Sequence, residues 1–212
     1  MATRNWPRNP QTTPHKRFSY VFLTFDRGEY YESKKVNIFV SFLTVFMSFH
    51  VRRKDREITD SATLQKVLED TKYVTIALCK DNEPYLVSLS HGYDKTRNCI
   101  YFHCADEGKK LVYIRANSTV WGQAVQDYGV TDECDYAYTS VHFKGTITLI
   151  GDLSEKRHAI EVMVRQLSEN PEKKIAQIKP EKLATTTMGR IDISYMTCKK
   201  HQNPKLNIAE RI

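Results

Sequence analysis

The sequence predicts a mainly β protein, built as a small antiparallel barrel with peripheral helices. Segments that alternate like strands outnumber helical ones, the turns between them are short, and no β-α-β rhythm occurs, which disfavours a Rossmann sheet. Residues 136–150 alternate over a length well beyond the usual strand of about five or six residues. Gly145 lies inside this segment, where a strand could bend or bulge as a sheet closes into a barrel.

The first regular elements are a helix and three strands. Asp60 or Ser61 is expected to cap the helix, which places Leu64, Val67 and Leu68 on one face and ends before residue 73. The strands are predicted over residues 73–80, 85–93 and 99–104. The turns between them, residues 81–84 and 94–98, are short and polar, so an antiparallel meander is the simplest connection.

The second half continues in the same style. A short helix is expected over residues 106–116 and a strand over residues 119–126, before the long strand at residues 136–150. Ser154 is the predicted cap of an amphipathic helix that stops at Asn170. One more strand, residues 189–195, completes the predicted core.

Residues 1–46 are predicted to be an N-terminal extension outside the core, followed by a domain over residues 47–198 and a C-terminal tail over residues 199–212. The apolar run at residues 36–49 is about 14 residues long, short of the roughly 18 to 20 that a membrane-spanning helix needs. Three interpretations of this run compete: a secretory signal, a membrane-associating or packing helix, and an extension upstream of a natural initiator at Met47.

The formal net charge of +7 raises the question of a nucleic-acid partner. Much of the excess lies in the first fifty residues, which hold seven basic and three acidic side chains. The basic segment has no recognised motif and no spaced aromatic residues, so no nucleic-acid binding is predicted.

Five cysteines without a CxxC pair match neither a zinc ribbon nor a secreted disulfide framework, and they favour a cytoplasmic location. Cys99 and Cys104 flank His103, but alternation is expected to place both thiols with Ile100 and Phe102, away from the imidazole. No metal site is therefore predicted.

The turn after the third predicted strand is the strongest candidate for chemistry. Asp106 is expected to cap a helix that has Gly108, Lys109 and Lys110 in its first turn. Free backbone N–H groups, the helix dipole and two ammonium groups would meet there, as in a phosphate site. The alternative is a solvated basic turn, since lysines near helix starts are common.

The chain resembles a known family in four segments. They are Asn-Glu-Pro-Tyr at residues 82–85, His-Gly-Tyr-Asp at residues 91–94, Tyr-Phe-His-Cys-Ala-Asp-Glu-Gly-Lys-Lys at residues 101–110, and Ser-Val-His-Phe-Lys-Gly at residues 140–145. Together they resemble the FMN-binding split barrels related to pyridoxamine 5′-phosphate oxidase, and most closely the nitroimidazole-resistance (nitroimidazole reductase) branch. The similarity spans about residues 51–197 and implies an antiparallel split β-barrel.

The resemblance also implies roles for particular residues. Gly108, Lys109 and Lys110 correspond to the turn that holds the FMN phosphate, and His103 to a histidine near the flavin that could donate a proton. The remaining cofactor-binding residues are expected to contact the flavin ring, four of them through backbone amides of one strand: Ser88, Leu89, Ser90 and His91, together with Ser140. Leu86 and His91 stand where the oxidases carry an arginine and a lysine, which disfavours oxidation of pyridoxamine phosphate itself.

Two functions from different classes follow from the resemblance. The first is an FMN-dependent oxidoreductase, a homodimer with the flavin at the subunit interface, that passes electrons from a reduced nicotinamide or another donor to a small organic acceptor. The second is a non-catalytic flavin- or haem-binding module for sensing, storage or electron carriage. A catalytic role for His103 belongs to the first hypothesis alone.

Overall fold

Seven strands, five α-helices and one short 3₁₀ helix (Lys54–Arg56) lie within residues 51–130 and 136–201, the part of the chain that the computed structural model describes. The strands are β1 (Glu57–Ile58), β2 (Tyr73–Lys80), β3 (Glu83–Asp94), β4 (Cys99–Cys104), β5 (Thr119–Val130), β6 (Tyr136–Leu149) and β7 (Thr187–His201). The helices are α1 (Ser61–Asp70), α2 (Lys109–Ala116), α3 (Leu153–Leu167), α4 (Pro171–Ala176) and α5 (Pro180–Thr185). The predicted extension at residues 1–46 and the apolar run at residues 36–49 lie outside the described residues.

The strands form an antiparallel ring in the order β7-β4-β3-β2-β5-β6, closed by pairing between β6 and β7, with β1 added to β7. Pairing of β3 with β4 starts at Asp94 opposite Cys99 and ends at His91 opposite Phe102. From Ser90 back to Glu83, β3 pairs with β2 alone. The ring is therefore split along one edge of β3, which confirms the predicted split barrel.

The hairpin between β2 and β3 is tighter than predicted. Asp81 and Asn82 alone form the turn, with φ of 50° and 62°, and Lys80 lies opposite Glu83. A two-residue turn with both residues in the left-handed region matches the twist of the flanking strands. Pro84, expected in the turn, instead belongs to β3.

The long strands are the elements that curve the barrel. The predicted irregularity at Gly145 is confirmed, since the β6–β7 register shifts between Lys144 and Gly145. A Cβ atom at Gly145 would lie 2.5 Å from the carbonyl oxygen of Asp192, so the close approach of β7 requires glycine. Strands β5 and β7 are longer than predicted, and β7 pairs with β6 as far as His201.

Two predicted helix caps are wrong. Asp152, not Ser154, caps α3 by accepting the backbone N–H of Ser154 at 3.1 Å. Gly108, not Asp106, is the N-cap of α2, and its φ of 123° is a conformation that favours glycine. Helices α4 and α5 were not predicted. Each has six residues and begins with a proline, and so short a segment shows too little hydrophobic periodicity to be recognised as a helix.

The hydrophobic core has two parts. The interior of the barrel holds residues from every strand of the ring, including Ile76, Phe102 and Phe143. A second cluster, which includes Cys99 and Tyr101, packs on the outside under α3. Cys99 and Cys104 therefore lie on opposite faces of β4. The expectation that both lie on the face of Phe102 is wrong for Cys99, because side chains alternate along a strand and the two cysteines are five positions apart.

None of the helices in residues 51–130 and 136–201 is long and apolar enough to cross a membrane.

Candidate functional site

The open edge of β3 is the first component of the site. Backbone N–H groups of successive residues point to opposite sides of an antiparallel strand. The N–H of Tyr93 donates to Gln166 Oε1 at 2.8 Å, on the β2 side, and Glu83 closes the hairpin on that same side. By alternation Ser88 and Ser90 direct their N–H groups toward the split, where no described strand pairs with β3. Pro84 shares this orientation, so its missing N–H costs no ladder hydrogen bond.

The four ring-contacting residues predicted on β3 divide into two pairs. Ser88 and Ser90 are exposed on the outer face, and the Ser88 hydroxyl lies 3.0 Å from the Thr75 hydroxyl. Leu89 and His91 are buried and point inward. Alternation also directs the N–H groups of Leu89 and His91 toward β2, so of these four residues Ser88 and Ser90 are the ones that offer backbone donors at the split.

His91 is a fully buried polar residue of the core. Its Nε2 donates to the Leu68 carbonyl at 2.9 Å, and its Nδ1 has no hydrogen-bond partner among the described residues. Burial lowers the pKa of His91 below its ordinary value, against the opposing effect of the hydrogen bond to Leu68. Protonation would place a second N–H donor in the core without an acceptor, so the neutral ring is preferred.

We expect His91 to make the protein less stable in mild acid. Above pH of about 6.5 the ring is neutral in both states and contributes nothing to the pH dependence. As the pH falls below that value, the unfolded chain binds a proton that the folded chain refuses, so the free energy of unfolding decreases, by up to about 1.4 kcal/mol per pH unit.

Urea unfolding between pH 7 and pH 5 measures this effect. His91→Asn, which keeps a donor for the Leu68 carbonyl, should show a shallower loss of stability than the wild-type protein. Equal slopes in the two proteins would show that His91 is not the titrating group.

The N-terminus of α2 is the second component. No side chain caps it, and no acidic residue occupies its first turn, so the first N–H groups are available to an anion. The ammonium of Lys110 lies 5.9 Å from the centre of the Phe102 ring, which places it beside the end of β4. Burial raises the pKa of the nearby Cys104 thiol, and the charge of Lys110 opposes this shift.

Lys109 is already engaged with other side chains. Its Nζ lies 3.3 Å from Glu83 Oε1 and over the rings of Tyr85 and Tyr113, at 4.9 and 5.3 Å. The hydrogen bond to Glu83 raises the pKa of Lys109. Of the two predicted phosphate ligands, Lys110 is therefore the one whose charge is not shared with a described carboxylate.

His103 lies on the outer face of β4, one residue beyond the last pairing with β3, and it is exposed. On the other side it pairs with Met188 of β7. Ser90, His103 and Lys110 thus lie on the elements that border the split: β3 on one side, the end of β4 and the start of α2 on the other.

Ser140 lies elsewhere on the barrel. It is a buried residue of β6, a strand separated from β3 by β2 and β5 in the ring. It lines a cavity of about 600 Å³ on the outer face of β5, β6 and β7, called here the outer cavity. The other residues that line it are Val51, Arg52, Arg53, Trp121, Gln123, Val125, Tyr138, His142, Tyr195, Thr197 and Lys199.

The outer cavity was not predicted as a site. The alternation of Trp121, Gln123 and Val125 on β5 indicates a shared face, but that alone does not distinguish a core face from an outer one. A smaller cavity of about 290 Å³ shares Trp121, Gln123 and His142 with it and reaches Leu86 on β3. Among the described residues, no three His, Cys, Asp or Glu side chains are arranged to hold a metal ion.

An antiparallel ring of strands with one open strand edge, next to a helix N-terminus that no side chain caps, is a split barrel. The profile of the family described as pyridoxamine 5′-phosphate oxidase matches residues 60–200. The chain belongs to this family, which confirms the resemblance found in the sequence.

Solved structures with the same fold include three from bacteria. A candidate 5-nitroimidazole antibiotic resistance protein from Bacteroides thetaiotaomicron has a TM-score of 0.58 and 21% identity, covering 68% of this chain and 86% of its own. The flavocytochrome Anf3 from Azotobacter vinelandii has a TM-score of 0.61 and 16% identity, covering 74% and 75%.

An FAD- and haem-binding protein from Mycobacterium smegmatis has a TM-score of 0.60 and 15% identity, covering 70% of this chain and 74% of its own. At these identities the likeness concerns the fold. No curated protein matches the chain.

Proposed function

We propose that this protein binds FMN at the split and acts as an oxidoreductase on a small organic acceptor. The observation that carries the proposal is the open edge of β3, where the backbone donors of Ser88 and Ser90 face a gap that ends at the start of α2. A bound flavin supplies transfer of one or two electrons between a reduced donor and an acceptor. The protein supplies binding, orientation and protons.

The residues around the split suit the two ends of FMN. The polar edge of the ring needs hydrogen-bond donors, which Ser88 and Ser90 offer through their N–H groups. The phosphate needs positive charge and free N–H groups, which Lys110 and the first turn of α2 offer. Gly108 lets the chain turn into the helix without a side chain at the phosphate position.

The outer face also supports the proposed homodimer. Leu86 is 66% exposed and Val125 is 45% exposed, and both lie on the face that carries the two cavities. Exposed apolar side chains on one continuous face are typical of an interface. A second copy packed on this face would close the cavities from solvent.

The absorption spectrum of the freshly purified full-length protein tests the proposal. We expect flavin bands, FMN released on heating, and reoxidation of the reduced bound flavin by small acceptors faster than that of free flavin. A colourless protein that fails to bind added FMN would contradict flavin binding. Bound flavin that acceptors do not reoxidise faster would instead indicate a binding module without turnover.

Replacing His103 with alanine should separate catalysis from binding. The side chain is exposed beside the split, so FMN affinity should stay within about twofold, while general acid catalysis contributes roughly 10² to 10⁴ in rate. Stopped-flow reoxidation of the reduced protein measures the second quantity and fluorescence titration the first. A proportional loss of both would assign His103 a structural role.

A further inference from the structure

Four side chains join the start of α2 to the start of β3. Glu83 and Tyr85 are two positions apart on β3 and therefore lie on the same face of the strand. Lys109 and Tyr113 are four positions apart on α2 and share one face of the helix. The rings of Tyr85 and Tyr113 contact each other, with centres 5.3 Å apart and planes at 56°. These four residues are called here the α2 anchor.

Lys109 lies at the centre of the α2 anchor. Its ammonium is 3.3 Å from Glu83 Oε1, and it lies over the rings of Tyr85 and Tyr113, at 4.9 and 5.3 Å from their centres. The ammonium is thus attracted both by a carboxylate and by two ring faces. Hydrogen bonds from Tyr113 and Lys109 lower the pKa of Glu83, so its carboxylate is charged near pH 7.

The α2 anchor connects the two sides of the split. Pairing between β3 and β4 covers only residues 91–94 of β3, and no other described strand pairs with this edge of β3. Glu83 is the first residue of β3, at the far end of the open edge, and Lys109 is the first residue of α2. Their contact therefore fixes how far the first N–H groups of α2 lie from the backbone donors of Ser88 and Ser90.

We infer that Lys109 is a positioning residue, which holds the first turn of α2 at a fixed distance from the open edge of β3 through Glu83 and the two tyrosines, and that Lys110 is the lysine that pairs with the phosphate. This differs from the expectation, drawn from the resemblance, that both lysines hold the phosphate. The part that concerns phosphate rests on the proposed function, whereas the anchoring of α2 does not.

Reversing the charges of the Glu83–Lys109 pair in the full-length protein tests the anchoring. The N–H groups of Leu111 and Val112 donate to the Gly108 carbonyl at 3.0 and 3.3 Å, so their hydrogen exchange reports on the first turn of α2. Glu83→Lys and Lys109→Glu each replace attraction by repulsion, and without any ligand each should make this exchange at least about threefold faster. The combined variant restores an ion pair and should return the exchange to within about twofold of the wild-type rate.

Lys66→Glu is the matched control. Lys66 forms an exposed ion pair with Asp70 on α1, at 2.9 Å, so the substitution makes the same change of charge in another helix. It should leave the exchange of Leu111 and Val112 unchanged.

FMN and riboflavin, which differ only in the phosphate, test the positioning role. The two single variants should bind FMN about three- to tenfold less tightly than the wild-type protein, and riboflavin within about twofold. The combined variant should recover most of the FMN affinity, although it has glutamate at residue 109. A phosphate ligand at this position could not be replaced by a carboxylate, so the recovery distinguishes positioning from direct contact.

The outcomes separate this inference from the flavin proposal. Unchanged exchange in both single variants would overturn the anchoring, whether or not FMN binds. The positioning role is wrong if the combined variant binds FMN as weakly as Lys109→Glu, because Lys109 then contacts the phosphate itself. It is also wrong if Glu83→Lys binds FMN more tightly, because Glu83 then only competes with the phosphate for Lys109. Wild-type protein that never binds FMN, with exchange that follows the expected pattern, refutes the flavin site and retains the α2 anchor.

Discussion

Replacing Lys109 and Lys110 together with alanine should weaken FMN binding by roughly a hundredfold, because charge-assisted hydrogen bonds to a phosphate are among the stronger polar contacts and the two losses overlap. Lys110→Ala alone should account for most of the loss. Lys109 already shares its charge with Glu83 at 3.3 Å, whereas Lys110 lies next to Phe102 at the end of β4. Flavin fluorescence titration measures both affinities.

Lys95→Ala is the matched control for this pair. Lys95 is exposed and belongs to the turn between β3 and β4, which is the opposite end of β3 from Glu83. The substitution removes the same charge, so it should leave FMN affinity nearly unchanged and should preserve its salt dependence. Unchanged affinity in the double variant, or an equal loss in Lys95→Ala, would show that the phosphate lies elsewhere.

Replacing Gly92 with alanine should reduce the free energy of unfolding by about 3 kcal/mol. A Cβ atom there would lie 2.7 Å from both the Cα and the N of Met163, which belong to the backbone of α3. A backbone atom cannot rotate away as a side chain can, so α3 would have to move off β3 and open the cluster that contains Cys99, Tyr101 and Met163.

Gly151→Ala is the control for that substitution. A Cβ atom at Gly151 meets nothing within 4 Å, and its φ is outside the range that favours glycine. Urea unfolding of the two variants should therefore separate steric cost from the general effect of adding a methyl group. Equal stabilities of the two variants would show that α3 is not seated on Gly92.

Elements whose hydrophobic pattern and end signals lie within their own residues were predicted with nearly correct bounds. Strands β2 and β4 occupy the residues expected, and α1 begins after Asp60, whose carboxylate accepts the N–H of Thr63 at 2.8 Å. Strand β7 was predicted over less than half of its length. Its N-terminal end pairs with β4 and its C-terminal end with β1 and β6, and those partners are distant in sequence.

The residues of the candidate site likewise divide into those that a local sequence pattern predicts and those that only the tertiary structure brings together. The glycine and lysines after β4 could be recognised from local spacing, and the structure places them at the start of α2. The pairing of Lys109 with Glu83 could not be recognised, because 26 residues separate them. Similarly, the four consecutive residues 88–91 are equivalent in the sequence, and only the position of β2 relative to β3 makes Ser88 and Ser90 the donors at the split.

By itself, the sequence determined the β-rich class, the long strand with an irregularity at Gly145, and the basic turn at the start of α2. Periodicity and turn chemistry record these features, because they concern residue types a few positions apart. The tertiary structure alone decided where the ring opens, which face of β3 is available, and that Arg52, Trp121, His142 and Lys199 meet in one cavity. These features depend on the pairing and twist of strands remote in the chain, and no local pattern of side chains encodes such distances.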